Sequence, residues 1–86
     1  MYFVYLLENQ ENRWYIGYTP KEPHERLSKH NKGLVQSTKA YRPWSLIYYE
    51  AYLNRSDATG REKFLKSGSG RRFLKKQLKN HFGIRF

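Results

Sequence analysis

The sequence predicts a small α/β domain of the α+β kind: a three-stranded, mostly antiparallel sheet flanked by helices, in the order β-β-α-β-α-α. Three observations carry that prediction. Two short aromatic-rich runs stand at the N-terminal end, separated by a polar break. A nearly continuous apolar stretch, Trp44–Tyr52, lies in mid-chain. Between and after them come helix-period segments bounded by Pro, Gly, Ser and Asn.

The first run is Tyr2-Phe3-Val4-Tyr5-Leu6-Leu7 and the second Arg13-Trp14-Tyr15-Ile16-Gly17-Tyr18, with Glu8–Asn12 between them. Such a pair reads as a β-hairpin. A turn symmetric about Gln10 sets Tyr5 across from Tyr15 and Phe3 across from Gly17. Two phenols then share one face, beside a glycine that opens the backbone to close approach. Tyrosine favours strands in any case, so this pattern alone reads first as a purely structural one. Pro20 and Pro23 forbid a continuing strand. From Pro23 the pattern turns helical, and Gly33 stops it. Arg26 and His30, four apart, lie on one face of that helix, and Leu27 is its one clear core anchor.

Residues 33–43 read as a loop. Trp44–Tyr52 follows as the third strand, its continuous apolarity suggesting a central strand covered on both faces. Asn54 or Ser56 can cap a helix over about Asp57–Lys66. Ser67-Gly68-Ser69-Gly70 ends it, and Arg71–Asn80 forms a last helix closed by Gly83. One side of that helix carries Phe73, Leu74, Gln77 and Leu78. The other carries Arg71, Arg72, Lys75, Lys76 and Lys79.

At 86 residues the chain makes one domain, 1–86, near the lower size limit for an unaided core. It has no cysteine, which excludes disulfides and thiolate metal sites, so the core must come from eight Tyr, five Phe and two Trp. No apolar run approaches the roughly 18 residues of a membrane span. Met1–Leu7 lacks the basic start of a secretory signal, so the expected compartment is the cytoplasm. Residues 1–60 carry eight basic and six acidic side chains, residues 61–86 nine and one, which together give the net charge of +10. A field so lopsided suits a polyanion, nucleic acid before an anionic membrane, with Lys66, Arg71, Arg72, Lys75, Lys76 and Lys79 as the expected contacts.

Glu62 is the anomaly. It is the only acid in the last 26 residues, and Ala58 and Leu65 stand at i−4 and i+3, the spacing of a core-facing stripe. A carboxylate there is costly unless it is used, either in a salt bridge to a nearby cation or as a metal ligand. One carboxylate on a polyanion-binding surface can hold Mg²⁺ while water and phosphate oxygens complete the shell.

Taken together, the residues resemble the GIY-YIG nucleases, in particular small stand-alone members related to the N-terminal nuclease domain of an excision-repair endonuclease. The resemblance covers essentially the whole chain. Val4-Tyr5-Leu6 stands at the first element and Tyr15-Ile16-Gly17 is the second; Arg26-Leu27 with His30-Asn31 resembles the arginine helix. Arg42-Pro43-Trp44 through Tyr49-Glu50 resembles the third strand and its lead-in. Arg61-Glu62-Lys63, with Leu65-Lys66 and Gly70-Arg71, resembles the glutamate helix and basic tail.

The resemblance implies a single-metal phosphodiesterase on DNA, structure-selective or weakly specific, in DNA repair or processing. By that resemblance Glu62 binds Mg²⁺ or Mn²⁺ and Arg26 neutralises the scissile phosphate. Tyr5 serves as base or water-binding hydroxyl, its phenolate favoured by nearby cations. Tyr15 positions the phosphate or shares the role of Tyr5, and His30 stands near the nucleophile. Larger relatives place an asparagine where this chain has Leu74, a role Ser69, Gln77 or Asn80 would have to fill. Repair-type members carry lysine at the position of Tyr18, a contact that Lys21 could supply. The competing expectation is a non-catalytic nucleic-acid-binding module with the same fold. RNA stands as a second candidate substrate, and a protein partner as a source of specificity.

Overall fold

The computed structural model describes residues 1–83; Ile84, Arg85 and Phe86 lie outside the described residues, and with them one cation of the basic C-terminal segment. The elements are β1 (Tyr2–Asn9), β2 (Trp14–Thr19), α1 (Pro23–Asn31), a 3-10 turn over Lys39–Tyr41, and β3 (Trp44–Tyr52). They are followed by α2 (Arg55–Leu65), α3 (Gly68–Gln77) and a single turn, α4 (Lys79–Phe82). The three strands form one antiparallel sheet flanked by helices, as predicted.

The hairpin turns one residue later than the symmetric reading about Gln10. Asn9 N–H donates to Arg13 O and Asn12 N–H to Asn9 O, closing a loop of Gln10, Glu11 and Asn12. Asn12 takes the positive φ of 62° that ends such a three-residue loop. The Asn9 side chain holds the loop, accepting from the N–H groups of Glu11 and Arg13. Tyr5 therefore pairs with Gly17, Leu7 with Tyr15 and Phe3 with Thr19, two positions from the expected partners. A shift of two keeps every side chain on its expected face.

The strand order is β2-β1-β3, so the central strand is β1, not β3. Val4–Leu7 are buried, whereas Tyr49 on β3 is 49% exposed. The apolar continuity of β3 has another cause. Leu6 pairs with Tyr48 but Leu7 with Leu46, a bulge that leaves Ile47 as the extra residue. Across it Ile47 and Tyr48 pack into the same side of the sheet, while Leu46 packs into the other.

Two core layers result. Val4, Leu6 and Ile16 pack with Ala58, Leu65 and Leu74 beneath α2 and α3. On the opposite face Tyr5, Leu7 and Trp44 pack with Tyr15, Leu27 and Leu46 beneath α1. Glu22 caps α1, accepting from the N–H groups of His24 and Glu25, and Asn54 caps α2 through Ser56 N–H. The expected Ser67–Gly70 linker is instead the start of α3: Ser67 Oγ accepts from Gly70 N–H. The chain breaks at Leu78, so the expected last helix is divided between α3 and α4. Gly70 permits this tight corner, because a Cβ there would lie 2.1 Å from Phe64 O and 2.4 Å from Leu65 Cα.

Glu50 joins β3 to α2. It accepts from Tyr48 and Tyr52 hydroxyls and takes Arg61 as a bidentate fork at 2.9 and 3.0 Å. The Arg61 guanidinium lies over Phe73, 4.5 Å from its ring centroid. Burial alone would raise the Glu50 pKa, but this set of donors holds it below the ordinary carboxylate value. The fork fixes α2 one residue before Glu62.

Candidate active site

Tyr5, Tyr15, Arg26 and His30 meet on the α1 face of the sheet. Tyr5 sits over its pair partner Gly17, where an added Cβ would fall 2.4 Å from both its Cζ and its hydroxyl oxygen. The Tyr5 ring centroid is 6.4 Å from that of Tyr15 and 5.7 Å from that of His30; Tyr15 and His30 are 5.0 Å apart. α1 packs against β3 and β1 with His30 turned inward, and the side chain is fully buried.

His30 is the hub. Its Nε2 is 2.8 Å from the Tyr5 hydroxyl and its Nδ1 2.8 Å from Thr38 Oγ1. Thr38 donates its own proton to Val35 O, so its oxygen accepts from Nδ1–H. The network thereby assigns Nε2 as a bare acceptor and Tyr5 O–H as its donor. Nothing in the sequence pointed to Thr38, which lies in the 33–43 loop and reaches His30 only in three dimensions.

Protonation follows burial. Desolvation of His30, aided by the Arg26 charge, lowers its pKa to about 4, so the imidazole is neutral at pH 7. Desolvation raises Tyr5 to about 12; Arg26 pulls the other way, and Tyr15 and Glu62 add to the rise. The resting form is the phenol, not the cation-favoured phenolate that the sequence suggested, because burial outweighs the one guanidinium beside it.

A stability prediction follows from the sign of the His30 shift. An unfolded histidine binds its proton near pH 6.5 and the folded one only near pH 4. Between those values the unfolded state holds more protons, so stability falls as pH drops from about 7 towards 4. The loss is at most about 3 kcal/mol. Urea unfolding at pH 7 and pH 4.5 should record it, and His30→Asn should flatten that part of the profile. A wild-type profile that is flat between those values would contradict the buried neutral imidazole.

Arg26 Nε is, among the described residues, the buried side-chain polar atom without a hydrogen-bond partner. An orphaned charged donor is expensive, and a phosphate oxygen would satisfy it. Glu62 lies half-buried at the margin of the core stripe, with Ala58 and Leu65 buried as predicted. Its carboxylate pairs with Lys66 Nζ at 3.0 Å, and its charge is felt at the Tyr5 hydroxyl. Among the described residues no three His, Asp or Glu side chains gather as a metal cluster. The single hard carboxylate of Glu62 still fits Mg²⁺ or Mn²⁺, which take one or two carboxylates and complete their shell with water and phosphate.

The remaining expected residues fall elsewhere. Arg71, Arg72, Lys75 and Lys76 are exposed on α3 and Lys79 on α4, beyond the sheet face opposite α1. Arg71 lies over the Trp14 ring, and Arg72 donates to Ser69 Oγ. Leu74 is fully buried beneath α3 and serves the core. No helix among the described residues is long and apolar enough to cross a membrane.

Residues 1–82 match the GIY-YIG catalytic domain. A UPF0213 protein of Staphylococcus epidermidis is 36% identical over 75 residues, covering 86% of this chain and 90% of that one. A UPF0213 protein of Staphylococcus aureus is 37% identical over 67 residues, covering 77% and 80%. The solution NMR structure of the UPF0213 protein BH0048 from Bacillus halodurans is similar at a TM-score of 0.55 and 28% identity, over 91% of this chain and 86% of that one. GIY-YIG nucleases are generally metal-dependent and act on DNA. Because that domain matches nearly the whole chain and these relatives are similar over most of it, this protein belongs to the GIY-YIG family, alongside the small UPF0213 proteins.

Proposed function

We propose that the chain is a metal-dependent DNA endonuclease, structure-selective or weakly specific, that hydrolyses phosphodiester bonds in DNA repair or processing. The observation that carries this reading is the convergence of a Tyr5 hydroxyl, a bare His30 Nε2 and an unpartnered Arg26 Nε on one face, within the field of Glu62. Arg26 holds the scissile phosphate through the donor it now leaves unpaired, and Tyr15 borders the same space. Glu62 would hold Mg²⁺ or Mn²⁺, releasing Lys66 to a phosphate. A divalent cation bound there withdraws charge from the phosphate and the leaving oxyanion.

With Tyr5 near pKa 12, a standing phenolate is too scarce to serve as the base. The geometry supports a relay instead. As the water oxygen bonds to phosphorus and the P–O bond to the leaving oxyanion breaks, the water proton passes to the Tyr5 oxygen while the Tyr5 proton passes to His30 Nε2. Burial is the main cost of the imidazolium so formed, and the phosphate relieves the smaller part of it by offsetting the Arg26 charge. Lys66, Arg71, Arg72, Lys75, Lys76 and Lys79 form an outer cationic surface that draws DNA in, with affinity falling steeply with salt. The shortage of surface for base readout in so small a domain accounts for weak sequence specificity.

One observation favours a second reading, a non-catalytic nucleic-acid-binding module: Lys66 already neutralises Glu62. Incubating supercoiled plasmid, single-stranded and branched DNA with Mg²⁺, Mn²⁺ or EDTA separates the two. Cutting is expected with metal and not with EDTA; salt-sensitive binding without cutting in any metal would favour the module.

A further inference from the structure

Beside Arg26 a cleft of about 290 Å³ opens between the end of β2 and α1. Thr19, Pro20 and Lys21 form one wall and Glu25, Arg26 and Lys29 the other. Its walls are preset. Thr19 is buried and its hydroxyl accepts from Lys21 N–H, which fixes the turn that carries Lys21. Glu25, Arg26 and Lys29 stand at i, i+1 and i+4 of a capped helix, one face turned to the cleft. Three cations thus face one acid, and neither Lys21, Lys29 nor Glu25 makes an ion pair among the described residues. The buried, unpartnered Nε of Arg26 belongs to the same wall.

We infer that this cleft is a subsite for the nucleic-acid backbone, taking the phosphodiester next to the one held by Arg26. Arg26 and Lys29 are an i, i+3 pair with Cβ atoms about 5–6 Å apart, a span comparable to neighbouring phosphates along one strand. Lys21 closes on the same phosphate from the loop. The cut strand then leaves the reaction point along α1, whereas the cations of α3, across the sheet, meet a different stretch of nucleic acid. Glu25 is the opposing charge in the cleft and weakens the grip. This inference rests on the nuclease reading only in naming the neighbouring phosphate as the scissile one.

The test is metal-free binding of a short oligothymidylate to the full chain, so that no cutting intervenes. Amide shifts in the NMR spectrum should centre on residues 19–29. Lys21→Ala with Lys29→Ala should lower the slope of log K against log salt by about 0.7, the share of the one phosphate that both lysines hold on a single strand. Glu25→Gln should tighten binding severalfold, an effect opposite in sign to that of a destabilised fold. Shifts confined to residues 61–79, with the slope unchanged in the lysine pair but reduced by Arg71→Ala and Arg72→Ala, would overturn the subsite. Binding through the cleft by a protein that never cuts with metal would overturn the nuclease reading alone.

Discussion

Gly17→Ala is expected to disable the site and weaken the fold together. The new Cβ would sit 2.4 Å from Tyr5 Cζ and from its hydroxyl oxygen, closer than any real contact. Tyr5 is fully buried between β2 and α1, so the ring cannot swing into solvent without opening that layer. Overpacking of this kind costs about 1–3 kcal/mol. Displacing the hydroxyl also strands the buried His30 Nε2, which adds about 1–3 kcal/mol. Turnover should fall by about 10²-fold or more, since the group lost from position is the one that would take the water proton. Thermal unfolding and plasmid cleavage measured on the same samples check both parts. A variant with unchanged melting temperature and rate would mean that Tyr5 does not need its place over residue 17.

Glu62→Gln should separate chemistry from folding. The amide keeps the shape of the side chain but loses the charge that a divalent cation requires, so cleavage should fall by about 10³-fold or more, of order 4 kcal/mol in the barrier. Stability should barely move. The pair with Lys66 is an i,i+4 contact with a largely exposed lysine, worth at most about 0.5 kcal/mol. DNA binding should stay equal or tighten, because a negative charge leaves a cationic surface. Binding of Mn²⁺ followed by its electron paramagnetic resonance signal should weaken in parallel with cutting. Wild-type cutting by the glutamine variant would remove Glu62 from the metal role.

Much of the fold was legible because its signals are local. The third strand runs over Trp44–Tyr52 as the sequence suggested, and α1 begins at Pro23 where a first-turn proline belongs. The tyrosines fell on the expected face even though the hairpin turns about Glu11, since side chains alternate with a period of two. The central strand was not legible. A bulge at Ile47 and two partly buried tyrosines anchored on Glu50 produce the same apolar run that double coverage would. Nor did composition separate Ser67–Gly70 as a linker from Ser67 as a cap. That distinction rests on how closely Gly70 can approach Phe64 and Leu65.

The same division runs through the site. The sequence by itself determined the element types, the sheet face shared by Tyr5 and Tyr15 and the helix face shared by Arg26 and His30, because helix and strand periods act over a few residues. Only the tertiary structure decided their states and partners. His30 is neutral and fully buried because α1 packs against β3 and β1, and it is oriented by a threonine eight residues away in a loop. Tyr5 is a phenol because stacking of α1 on the sheet removes water from it. The basic helix α3 faces away from the α1 cleft because Leu74 is taken into the opposite core layer. Desolvation and layer assignment depend on what packs against what, and those contacts join residues that no local pattern connects.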